Sequence, residues 1–87
     1  MIKTIILHED SCHGWAKVLI NELKELGIAD KISGCSYMNE QYVYLEEDGD
    51  FTTYINAIEI KGIDFVFHFV DDGDHSPIRE FPSYENN

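Results

Sequence analysis

Runs of alternating and helical period succeed one another along this chain. Lys3 to His8 (KTIILH) is β-branched and apolar and reads as a first strand. Glu9 to Ser11 reads as a turn. Between His13 and Leu26 two assignments fit. Ala16, Leu19, Ile20, Leu23 and Leu26 recur at helical spacing, yet Trp15 to Val18 equally suits a short strand feeding a helix that starts near Leu19 or Ile20. The split assignment is preferred. Lys24 stands in the last turn, Gly27 stands where a left-handed C-cap belongs, and Ile28 is placed to fold back on the helix.

Ile28 to Gly34 connects to two short strands, Cys35 to Met38 and Gln41 to Glu46, joined around Asn39-Glu40 as a hairpin. In the second strand Val43 and Leu45 share the face expected to point into the core. Tyr42, Tyr44 and Glu46 share the other, expected to be partly solvated. Asp48 or Asp50 is expected to cap the next helix, where its charge meets the positive dipole end. Phe51, Tyr54, Ile55 and Ile58 then fall at i, i+3, i+4 and i+7. Lys61 and Gly62 close that helix. Ile63 to Val70 (IDFVFHFV) is dense in β-branched and aromatic residues and reads as a central strand, followed by an acidic turn from Asp71 to His75. Pro77 and Pro82 make the tail, residues 76–87, an extended segment outside any sheet interior. The predicted order is β(β)αββαβ. It implies one α+β domain: a small, mainly antiparallel sheet of four to five strands with two helices packed on one face.

Composition narrows the function classes. A chain of 87 residues, 44% hydrophobic, is a small folded domain with a modest core. Its longest apolar runs fall short of a membrane span, and Met1-Ile2-Lys3 lacks a signal-peptide core, so a soluble protein of the host cytoplasm is expected. Cys12 and Cys35 read as reduced thiols. The net charge of -11 is unevenly placed. Residues 1–39 hold five acids against four lysines, whereas residues 40–87 hold twelve acids against Lys61 and Arg79 alone. That imbalance disfavours direct contact with nucleic acid and favours a basic protein partner.

His13-Gly14-Trp15, Leu26 to Ser33 (LGIADKIS), Tyr44 to Asp48 (YLEED) with Asp50, and Ser76 to Arg79 (SPIR) together resemble a family of small proteins found in bacteriophage genomes and prophages. The blocks span most of the chain, so the resemblance implies a shared fold and a viral or prophage origin; it brings no activity with it. Members often carry a proline after the strand that follows HGW, which supports the split of strand and helix there. The chain departs from the pattern at Ala16, where a larger aliphatic is usual, at Gly49, where cysteine often stands, and at His75, where aspartate often precedes the serine.

Four sets of residues are candidates for chemistry. The turn Glu46-Glu47-Asp48-Gly49-Asp50 and the turn Asp71-Asp72-Gly73-Asp74 are negative knobs suited to an arginine-rich surface, or simply solvated turns with a helix cap. The second turn lacks the alternating ligands of an EF-hand, so no calcium is expected. His8, Cys12, His13, Cys35, His68 and His75 match no closed zinc pattern, and no cofactor is expected. Cys12 beside His13 suggests a thiol and base, but neighbours in a strand point to opposite faces, so no catalytic set is assigned. Tyr37, Tyr42, Tyr44 and Trp15 either form a recognition surface or lie under the tail, where Ile78, Phe81 and Tyr84 alternate with polar residues. The expected partner-binding residues are therefore Glu46, Glu47, Asp48, Asp50, Asp71, Asp72, Asp74, Tyr42 and Tyr44. The expected role is inhibition of a basic, nucleic-acid-handling host or defence protein by charge imitation. The alternative is a self-assembling homodimer formed through a sheet edge or the tyrosine face, and a third reading, ranked below both, is a metal- or thiol-dependent enzyme.

Overall fold

The computed structural model describes residues 2–86. Five strands form one sheet: β1 (Ile2–Glu9), β2 (Gly14–Leu19), β3 (Tyr37–Asn39), β4 (Tyr42–Glu46) and β5 (Asp64–Asp71), in the order β3-β4-β2-β1-β5. All neighbours are antiparallel except β1 and β5, which run parallel over eight residues from Ile2 opposite Asp64 to Glu9 opposite Asp71. Helices α1 (Ile20–Glu25) and α2 (Gly49–Ile60) join the strands, so the chain is the α+β fold expected of its pattern.

Local signals account for the element ends. Region 14–25 is strand then helix, the break falling between Leu19 and Ile20. Both helices stop in the same way. Gly27 (φ 73°) donates to Lys24 and Ile28 to Leu23; Gly62 (φ 72°) donates to Glu59 and Ile63 to Ile58. This double hydrogen bond requires a left-handed residue, which glycine adopts without steric penalty, and it returns an apolar side chain to the core. The hairpin turn lies at Glu40-Gln41, one residue beyond the expected pair, with Glu40 itself left-handed (φ 58°).

Two apolar layers sandwich the sheet. On one face Ile5, Ala16, Val18, Val43 and Leu45 meet Leu23, Ile28, Ile32, Tyr54 and Ile58 from the helices and their connector. On the other, Trp15 and Tyr44 meet Ile78, with Tyr37, Tyr42 and Phe81 at the margin. The tail builds this second layer, and its first part is not extended. Pro77–Glu80 is a single 3-10 turn, opened by Ser76, whose Oγ accepts from Ile78 N–H, with Pro77 in a position where no donor is needed. The tail then crosses the β3 edge. Met38 N–H donates to Pro82, Ser83 bridges Tyr37, and Tyr84 N–H donates to Ser36 while its side chain enters the helix-side core.

The expectation for IDFVFHFV is corrected. β5 is an edge strand, with Val66, Phe67 and Phe69 exposed by 51%, 40% and 60%. β propensity and hydrophobicity suit any strand; position in the sheet follows from which partners the rest of the chain supplies.

Candidate functional site

Strand direction gathers the acids. β1, β4 and β5 all end, and β2 begins, at one end of the sheet, because Glu9 is paired with both Gly14 and Asp71 and Trp15 with Glu46. The loops after those three strands therefore bring Glu9, Glu46, Glu47, Asp48, Asp71 and Asp74 to the same end. Glu47, Asp48, Asp71 and Asp74 are exposed and Glu46 is half-buried. His13 lies beside them, its Nδ1 3.6 Å from Glu47. A cleft of about 130 Å³ opens between Glu9 and Glu47, floored by Gly14 with Leu7 and Phe51 beside it. A Cβ at position 14 would sit 3.2 Å from Glu47 Oε2, so a side chain there would crowd that carboxylate.

Not every acid in the two turns is free. Asp50 is 5% exposed, in the first turn of α2. Its carboxylate accepts from Ser33 N–H at 3.0 Å, Ser33 Oγ at 2.7 Å and Ser36 Oγ at 2.6 Å. Asp50 thus ties the LGIADKIS connector to the helix and is unavailable to a partner. Neither acid caps α2 by its side chain: Asp48 occupies the N-cap position, and its carbonyl accepts from Thr52 Oγ1 at 2.8 Å. Asp72 is also engaged. Ser76 Oγ donates to it at 2.6 Å, and His8 Nδ1 lies 3.2 Å from both its oxygens. Tyr44, expected at a solvated face, is 8% exposed beneath Phe81, whose ring centre lies 5.3 Å away. Tyr42 remains half-buried, with Lys17 Nζ 4.2 Å above its ring. Asp50, Asp72 and Tyr44 therefore leave the candidate surface: the two carboxylates are satisfied by hydrogen bonds inside the fold, and Tyr44 is packed beneath the tail.

A further acid escaped the sequence reading. Asp10, its side chain fully shielded, accepts two hydrogen bonds from Arg79 through Nε and Nη2, and others from the backbone N–H groups of Ser76, Cys12 and His13. The Arg79 guanidinium, aided by those amides against the effect of burial, holds the Asp10 carboxyl well below the usual carboxylate range. Arg79 also lies over Trp15, 5.4 Å from the ring centre. The HGW and SPIR blocks thus meet each other, and LGIADKIS meets Asp50. Residues of these blocks make their contacts within the fold.

This geometry also bears on catalysis. Ser76, Asp72 and His8 are in contact, but Asp72 is the central member and Ser76 Oγ donates to it, whereas a nucleophile relay places histidine between serine and carboxylate. Ser76 is moreover fully buried. Cys12 and Cys35 are exposed free thiols. Among the described residues no three histidine, cysteine or acidic side chains are grouped as metal ligands, and no helix is long and apolar enough to cross a membrane.

Comparison with known proteins gives no match to a family model, to a curated protein or to a solved structure.

Proposed function

We propose that the protein acts by binding another protein through the acidic end of its sheet, and that the partner is a basic, nucleic-acid-handling host or defence factor inhibited by charge imitation. The observation that carries this reading is the convergence of Glu46, Glu47, Asp48, Asp71, Asp74 and Glu9 at one end, on a chain of net charge -11. Three neighbouring acids are consumed by the fold and these are not. Carboxylates gathered at a sheet end suit the guanidinium forks of a surface that otherwise grips phosphates. The resemblance of the HGW, LGIADKIS, YLEED and SPIR blocks to small phage and prophage proteins supports a setting in the host cytoplasm.

The test is affinity capture from a bacterial host lysate with the natural chain and a Glu47→Lys, Asp48→Lys, Asp71→Lys, Asp74→Lys variant side by side. Asp50 and Asp72 stay untouched, so that the fold is kept. A basic, nucleic-acid-binding protein held by the natural chain and released by the variant is the expected result. A partner held equally by both overturns the reading.

A further inference from the structure

We infer that the open edge of β5 is a self-association surface, pairing antiparallel with β5 of a second copy, centred on Phe67, to give a closed two-fold dimer with a continuous ten-stranded sheet. This goes beyond the acidic end and is independent of it. β5 pairs with β1 along all eight residues and, among the described residues, has no neighbour on its other side. Its outer backbone donors and acceptors can be satisfied in kind only by another extended strand. Natural sheets blunt such edges with charge, proline, bulges or brevity. Residues 65–70 (FVFHFV) hold no lysine, acid or proline, and the register with β1 is unbroken. The opposite edge, β3, is covered by the chain's own tail at Pro82 and Ser83.

The sequence of the strand selects a second copy as the occupant. In a pairing centred on Phe67, that residue faces its own equivalent and Phe65 faces Phe69, all on the helix side. There Phe65, Phe67 and Phe69 already stack on one another at 5.4 and 6.2 Å. On the tail side Val66 faces His68 and Asp64 faces Val70, so no acid opposes an acid. Shifting the centre to His68 would set Asp64 against Asp72 and Phe65 against Asp71. Antiparallel pairing also sends the two acidic ends in opposite directions, which limits repulsion between copies that each carry -11. Both outer edges of the ten-stranded sheet are then tail-covered β3 strands, so pairing closes at two and does not continue into fibres. The exposed parts of Phe67 and Phe69 amount to one phenylalanine side chain, about 200 Å² per copy. That is small beside a standard interface and makes the dimer a weak one, with Kd in the micromolar to submillimolar range.

Sedimentation velocity from a few micromolar to about 1 mM tests this. A concentration-dependent dimer is expected, strengthened by salt, whereas binding at the acidic end is weakened by salt. Phe69→Lys, at the more exposed position, is expected to raise Kd at least about tenfold with an unchanged circular dichroism spectrum. With Cys12→Ser and Cys35→Ser, Phe67→Cys is expected to cross-link to its equivalent far faster than Ile60→Cys, because directly opposed strand residues lie within disulfide reach. A strict monomer at 1 mM, or a dimer untouched by Phe69→Lys, overturns the inference. A dimer that Phe67→Cys fails to cross-link overturns the register.

Discussion

Asp48, Asp50, Asp71 and Asp72 sit within two short turns, yet they do different work. Asp50 and Asp72 accept hydroxyl hydrogen bonds at 2.6–2.7 Å inside the fold, while Asp48 and Asp71 face water. Asp10 lies at the extreme of the first group, and its depressed pKa makes stability depend on pH in a defined direction. An unfolded aspartate titrates near pH 3.9, well above Asp10 in the fold. Its contribution is therefore complete above about pH 4 and is lost as pH falls from there toward the folded pKa. In urea melts, Asp10→Asn is expected to lower the midpoint most at pH 5–7, with the gap to the natural chain narrowing by about pH 2.5. A gap that stayed constant would remove Asp10 ionisation from the account.

The tail and β5 form an instructive pair of elements. Each presents large apolar side chains, yet Ile78 is 3% exposed against Trp15 and Tyr44, and Phe69 is 60% exposed. Removing buried methylenes costs transfer energy plus the cavity left behind, so Ile78→Ala is expected to destabilise by about 2–4 kcal/mol. Phe69→Ala, although a larger deletion, is expected to cost less than about 1 kcal/mol in the monomer. Chemical denaturation at low protein concentration, where the β5 edges are unpaired, measures both. Hydrophobicity alone ranks the two the other way. The tail matters because it supplies the second apolar layer, the Arg79 partner of Asp10 and the cover of the β3 edge.

Charge acts on the molecule as a whole. Seventeen acids against six bases repel one another in the compact state more than in the expanded chain. Raising ionic strength from about 0.01 to about 0.5 M shrinks the screening length from roughly 30 Å to a few ångströms, below the 12.3 Å radius of gyration. The melting temperature is accordingly expected to rise with sodium chloride over that range in calorimetry. A fall would mean that local pairs such as Lys3–Glu22, 3.0 Å apart, outweigh the net repulsion.

Much of the fold was readable residue by residue. The glycine-capped ends of both helices, the strand-to-helix break before Ile20, the inward pair Val43 and Leu45, and the element order all rest on interactions spanning a few positions, whose cost and geometry the local sequence carries. The acidic charge and its bias toward residues 40–87 were equally plain. Other features depend on partners far along the chain: Asp10 on Arg79, 69 residues away, Asp50 on Ser33 and Ser36, and Tyr44 on Phe81. No periodicity reports such meetings, so it could not separate a buried carboxylate from an exposed one in the same turn. Nor could composition place β5, since a Phe- and Val-rich strand satisfies its propensity in any position. Its place at the open edge follows from how β1, β2 and β4 pair, and that pairing also brings the remaining acids to one end.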